Sequence, residues 1–148
     1  MKTILSVWNL GNKGKTETLR EFANLLLANS PTYISIFPLP ATVPTSGDFR
    51  LVIQINGIII GVESKGDPNT NLQNRLLDLA DNFNCEVILC SSRTRGDSVD
   101  AVNNLHHKRG FDIIWSSTYQ IDGKPQQSIV NNLKAKHILD LLKTLGRI

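Results

Sequence analysis

A short apolar run, Thr3-Ile4-Leu5-Ser6-Val7-Trp8, leads into Asn9-Leu10-Gly11-Asn12-Lys13-Gly14-Lys15-Thr16. Apolar residues then recur at helical spacing, as Leu19, Phe22, Ala23, Leu26 and Leu27. Few architectures accept this junction. A continuous apolar run bounded by turn residues reads as a buried strand, and the i, i+3, i+4 recurrence is a helix with one core-facing stripe. The helix is expected to end near Asn29-Ser30-Pro31, because proline disfavours helical geometry in the residue before it. A strand buried on both faces needs a layer on each side of its sheet, which points to an α/β fold.

The rest of the chain repeats the theme. Residues 31–47 hold four of the six prolines, Pro31, Pro38, Pro40 and Pro44. They read as a short strand over 33–37 and then an extended surface loop, long enough to expect a functional role. Arg50–Ile55 and Ile58–Glu63 are β-branched runs joined by Asn56-Gly57, the strongest short hairpin signal, since a type I′ turn needs positive φ twice. Leu72, Leu76, Leu79, Ala80 and Phe83 define a second helix, and 86–90 is a third strong strand. Asp97 or Ser98 caps a helix running to about Lys108 and stopped by Gly110. A strand over 111–116, a turn at Gly123-Lys124-Pro125 and a closing helix over 129–145 complete the order. Trp8, Trp115, Phe22 and Phe83 read as core.

The expected fold is a single α/β domain over 1–148, a three-layer sandwich whose mainly parallel sheet carries one antiparallel hairpin strand. A chain of 148 residues is the size of one domain. Ligands bind such sheets at the carboxyl ends of the strands, so the residues after Trp8, Val62 and Cys90 are the ones to inspect.

Hydrophobic residues at 41% and charged residues at 20% exclude a disordered or collagen-like chain. The net charge of +3 suits an anionic small ligand and leaves nucleic acid open. Cys85 and Cys90, if on one strand, stand roughly 16 Å apart, beyond the ~7 Å a disulfide spans. They are expected to be buried thiols in a reducing compartment. No apolar run reaches the ~18 residues of a membrane span. The first apolar run is broken at once by Asn9-Leu10-Gly11-Asn12-Lys13, unlike a signal peptide. A cytoplasmic protein without membrane contact is expected. His106, His107 and His137 have no zinc spacing.

The loop at 9–16 has the chemistry phosphate binding requires. Glycines let backbone N–H groups turn inward, and the helix N-terminus adds partial positive charge. A lysine at the loop's end reaches terminal phosphates, and a hydroxyl beside it can ligate Mg²⁺. The sequence here resembles the P-loop NTPases, with Gly14-Lys15-Thr16 in place and Asn9 standing where their first glycine is, Gly11 following two residues later. Asn9 is expected to keep the turn because asparagine tolerates positive φ. The resemblance implies a nucleoside triphosphate held by Asn9, Gly11, Asn12, Lys13, Gly14, Lys15 and Thr16.

Ile58–Glu63, followed by Ser64-Lys65-Gly66-Asp67-Pro68, is similar to the second P-loop motif, an apolar strand ending in a carboxylate that holds Mg²⁺. By that resemblance Thr16 and Glu63 are the metal residues, and Gly66 meets the γ-phosphate. The hairpin makes the order of elements similar to that of small GTPases, in which Asp67 occupies the place of the water-orienting residue. The competing reading of Asp67 is local: Asp-Pro suits the N-cap and first position of the next helix. The guanine-reading N-K-x-D is missing after the third strand, where Cys90-Ser91-Ser92-Arg93-Thr94-Arg95 stands. ATP is therefore the default nucleotide. Arg93 and Arg95 either neutralise phosphate charge or are solvated, and Thr42 or Thr45 could reach the metal.

The expected function is binding of ATP or another nucleoside triphosphate with Mg²⁺, with slow hydrolysis or phosphoryl transfer in which Lys15, Glu63 and Asp67 take part. Two alternatives stand beside it. Asp48, Glu63 and Lys65 resemble the PD-(D/E)xK nucleases, with the hairpin bringing Asp48 near Glu63. The third reading is a nucleotide-binding switch without turnover that acts through a protein partner or a second copy.

Overall fold

The computed structural model describes residues 2–148. Six strands and four helices follow in the order β1 (Thr3–Trp8), α1 (Lys15–Asn29), β2 (Ile34–Phe37), β3 (Arg50–Ile55), β4 (Ile58–Glu63), α2 (Leu72–Asp81), β5 (Val87–Ser92), α3 (Asp97–Arg109), β6 (Asp112–Ser117) and α4 (Lys124–Thr144). One sheet contains all the strands in the order β2-β3-β4-β5-β1-β6. β1 pairs in parallel with β5 and β6, and β4 pairs in parallel with β5. β3 alone runs against its neighbours β2 and β4. The hairpin turn has Asn56 at φ 51° and Gly57 at φ 82°, both positive as a type I′ turn demands.

Strand alternation divides the core in two. Leu5, Val7, Leu51, Ile53, Ile60, Val62, Val87 and Leu89 face α1 and α4, where Leu19, Phe22, Leu26, Ile138 and Leu142 meet them. Ile4, Val52, Ile88 and Cys90 face α2 and α3, against Leu76, Leu79, Val102 and Leu105. The fold is thus a helix–sheet–helix sandwich with a mostly parallel, mixed sheet. A Cβ on Gly61 would lie 2.9 Å from Cys85 Sγ and 3.1 Å from the Leu79 side chain of α2. Both cysteines are free and buried. Cys85 precedes β5, and both thiols lie on the α2/α3 face. Burial pushes each up to about 12. Among the described residues no helix is long and apolar enough to cross a membrane.

Four local expectations are corrected. α2 begins at Leu72 with Asn71 as N-cap, so Asp67 caps nothing: Asp67 to Thr70 form a loop, and the Thr70 hydroxyl donates to the Asp67 carbonyl at 2.7 Å. α3 is preceded by Gly96 and has no side-chain cap. There Asp97 accepts from Asn69 N–H at 2.9 Å and Ser98 from Arg93 N–H at 3.0 Å. α4 starts at Lys124, five residues before its apolar repeat, because Pro125 fits the first turn of a helix. Trp115 is 40% exposed and Trp8 half-buried, so the two indoles are not core; β6 is an edge strand, and α3 covers its Ile113 but leaves Trp115 in the open.

Candidate functional site

The carboxyl ends of β1, β4, β5 and β6 emerge on one edge, and the loop after β1 sits there. Its first residue, Asn9, is not in the left-handed region; Asn12 at φ 57° and Gly14 at φ 80° are. Asn9 instead works through its side chain. Its amide Nδ2 donates to Thr118 Oγ1 at 2.8 Å, and its Oδ1 accepts from Leu10 N–H at 2.7 Å. Asparagine in the first-glycine position thereby ties the loop to the segment after β6. Gly11 lies under Arg93: a Cβ there would lie 2.8 Å from the guanidinium, which would have to move aside.

Gly14 is the N-cap of α1, and no side chain caps this helix. The first-turn N–H groups therefore keep their hydrogen-bonding capacity, and the helix dipole adds positive potential at the same spot. Lys15, the first helical residue, is buried. Its ammonium donates to the Asn9 carbonyl at 3.0 Å and has no carboxylate in ion-pair range among the described residues. Burial holds its pKa below the ordinary lysine value, the nearby Arg93 charge adds to this, and Asp67 opposes it. Lys15, Thr16, Gly14, Asn12, Lys13 and Asp67 line a cavity of about 340 Å³.

Two carboxylates, Glu17 and Asp67, line this cavity, and a third, Asp48, reaches Thr16 beside it. Its Oδ1 lies 3.4 Å from the Thr16 hydroxyl and 3.1 Å from that of Ser64, and Ser64 Oγ also accepts from Phe49 N–H at 2.8 Å. Arg20 delivers the segment. It is buried on α1, donates to the carbonyls of Pro44 and Gly47, and lies over the Phe49 ring. Thr42 and Thr45 are exposed, and no hydrogen bond brings either one to Thr16.

Glu63 is brought elsewhere. β5 lies between β1 and β4, and Glu63 turns to the α2 side, where Arg50 donates to it at 2.7 Å and Arg75 stands 3.4 Å away. Arg50 also pairs with Asp78. Ser64, the next residue, donates to Asp48 at 3.1 Å. Asp48 and Glu63 thus have separate partners, Thr16 and Ser64 for the one and Arg50 and Arg75 for the other, and Lys65 is exposed.

Gly66 crosses the end of β5 so closely that a Cβ would lie 1.9 Å from the Ser91 carbonyl oxygen; only glycine fits. This crossing carries the chain to Asp67, which pairs with Arg93 at 3.0 Å at the cavity's mouth. Arg95 is exposed and lines none of the cavities described here.

A second cavity, about 600 Å³, shares Asn12, Lys13 and Gly14 with the first and continues to Gln120, Asp122 and Lys124. Gln120 fixes its wall by donating to Thr118 Oγ1 at 2.8 Å and to the Lys13 carbonyl. Sequence reasoning missed this wall. Its one signal was position, a polar segment following a strand at the ligand-binding edge. Comparisons with protein-family models, curated proteins and solved structures give no match.

Proposed function

We propose that this chain is a P-loop-type protein that binds a nucleoside triphosphate, ATP by default, with Mg²⁺. The observation that carries the reading is Lys15, a buried ammonium beside an uncapped helix N-terminus. Its one hydrogen bond is to a backbone carbonyl, and it faces a cavity lined by Asn12, Lys13, Glu17 and Asp67, with neither carboxylate in ion-pair range of it. A buried cation without an ion-pair partner is costly unless an anion completes it. Phosphate oxygens at the α1 N-terminus would accept from the loop N–H groups and from Lys15. The adjoining 600 Å³ cavity has room for the nucleoside, with Gln120 and Asp122 at hand to hydrogen-bond the base.

The donor set beside the loop fits Mg²⁺, a hard cation that takes one or two carboxylates together with substrate phosphates. In this reading Thr16 and Asp48 hold it, in place of Thr16 and Glu63, because two arginines already satisfy Glu63. Bound there, the ion would neutralise charge on the phosphates. Lys15 and the loop N–H groups orient the chain of phosphates. Phosphoryl transfer needs little more than positioning and electrostatic stabilisation. Arg93, held at the mouth by Asp67, supplies a guanidinium for charge developing there. Asp67, exposed and paired to Arg93, is available to orient water. Its exposure supports slow hydrolysis, and binding without turnover is the alternative within the same site. Glu63 is already satisfied by two arginines while Asp48 is joined to Thr16 and Ser64, which favours this reading over nuclease chemistry.

The test is titration with ATP, GTP, CTP and UTP, with and without Mg²⁺, read by thermal stability. A nucleotide at 100 times its Kd adds about 2.7 kcal/mol. No shift with any of the four would contradict the reading.

A further inference from the structure

The two tryptophans of the chain lie on adjacent strands. Trp8 ends β1 and Trp115 sits on β6, paired in register with Ser6. Ile4 and Ile113 face α3, so by strand alternation Trp8 and Trp115 face that side too. With Val99 of α3, Thr94 and Arg93 they enclose a slot of about 260 Å³. Trp115 is a large apolar side chain left 40% exposed, and no described part of the chain covers the slot.

We propose that this slot is a second ligand site, for a planar aromatic molecule bearing an anionic group, the class that includes nucleoside monophosphates. Size is the first argument: the slot falls below the ~300–1,000 Å³ of drug-sized pockets, so it takes one ring system and not a peptide. Lining is the second. Indole faces stack on flat rings, and nucleobases stack on aromatic side chains whatever their sequence. Charge is the third. Arg93 and Thr94 are the polar residues of the lining; the Arg93 guanidinium, now over Gly11 and against Asp67, has a planar fork that matches phosphate or carboxylate oxygens. Its present partner, Asp67, is exposed at 62%, and exposed pairs of this kind are weak, so a ligand anion can take its place.

Arg93 also ties the slot to the loop cavity. It borders the slot, covers Gly11 and pairs with Asp67, which lines the loop cavity. The slot itself does not depend on the triphosphate reading; the coupling of the two sites through Arg93 rests on it.

Intrinsic fluorescence tests the proposal directly, because all indole signal comes from the slot. The full chain is titrated with AMP, GMP, CMP and UMP, with the nucleosides and inorganic phosphate as controls, exciting at the red edge of the indole band. The expected result is saturable quenching by at least one monophosphate with Kd below about 1 mM. Trp115→Leu, read through Trp8, should weaken it about tenfold or more. Arg93→Gln should weaken the monophosphate and leave the nucleoside unchanged. Thr94→Glu, at an exposed rim position, should weaken it with no change in melting, which keeps the test valid if Trp115→Leu does not fold. Lys15→Ala should leave the quenching in place. Quenching lost with Lys15→Ala would put the ligand at the loop and overturn the proposal while favouring the triphosphate reading. Absence of saturable quenching, equal quenching by inorganic phosphate, or indifference to both Trp115→Leu and Thr94→Glu would overturn it outright.

Discussion

Lys15 and Glu63 are both buried, both charged, and both at the carboxyl edge of the same sheet, yet their surroundings are opposite. Glu63 has Arg50 on one side and Arg75 on the other, with Asp78 closing the network behind Arg50. Lys15 has a single carbonyl and an open cavity, whose carboxylates Glu17 and Asp67 make no ion pair with it. A satisfied buried charge holds elements together, here β3, β4 and α2. An unsatisfied one costs stability and is kept where a ligand completes it. The comparison teaches that burial and charge alone do not mark a site; the missing ion-pair partner does.

The largest expected effect breaks the closed cluster. Glu63→Gln leaves the partly buried Arg75 without a carboxylate and Arg50 with Asp78 alone. It should cost about 3 kcal/mol, the low end for breaking a buried pair, because both arginines retain some solvent. Urea unfolding reads this, and nucleotide affinity in the folded fraction should be unchanged. A loss confined to Mg²⁺-dependent binding would return Glu63 to the metal.

The open cluster should respond in the reverse way. Asp48→Asn is expected to melt within about 0.5 kcal/mol of the wild type, as exposed positions do. It should remove the Mg²⁺-dependent gain in ATP affinity, about tenfold or ~1.4 kcal/mol, seen by calorimetry with and without the ion. An Mg²⁺ gain that survives would place the metal elsewhere.

A smaller effect follows from the depressed pKa of Lys15. Its folded value lies below 10.5, mainly through desolvation. The unfolded chain therefore binds more protons in that window, and the apo protein should gain stability as pH rises through the folded value toward 10.5. Bound phosphate favours the charged form, so ATP affinity should fall over the same window with proton uptake on binding. Lys15→Arg, always charged, should flatten both curves. The smallest effect is at Asp67. Because Asn71 and not Asp67 precedes α2, Asp67→Ala should change stability by less than about 0.5 kcal/mol. A loss of 1 kcal/mol or more in thermal unfolding would restore a capping role.

These contrasts also mark what the sequence could tell. The strand–loop–helix at 3–29 and the Asn56-Gly57 hairpin are local signals, and backbone sterics settle them within a few residues. Asp67-Pro68 carries an equally local capping signal, but Arg93, from the distant loop after β5, and Arg75, from the first turn of α2, hold that segment as a loop. Glu63 reads as an orphan strand-end carboxylate because its arginines come from β3 and α2. Asp48 is the converse: nothing beside it in sequence shows that Arg20 and Ser64 bring it to Thr16. The first turns of α4 are exposed and carry no apolar period, so only the structure gives its start. Hydrophobicity placed both tryptophans inside, since it cannot tell that β6, which carries Trp115, is an edge, or that Trp8 is the last residue of its strand.

The central claim is that Lys15 is a buried cation awaiting phosphate. The most direct measurement compares wild type and Lys15→Ala by calorimetric titration with ATP and Mg²⁺, alongside their melting curves. The account predicts a folded variant at least as stable as the parent, with affinity lower by ~1.5–3 kcal/mol, the scale of a charge-assisted hydrogen bond. A folded Lys15→Ala variant that binds ATP as tightly as the wild type would contradict it.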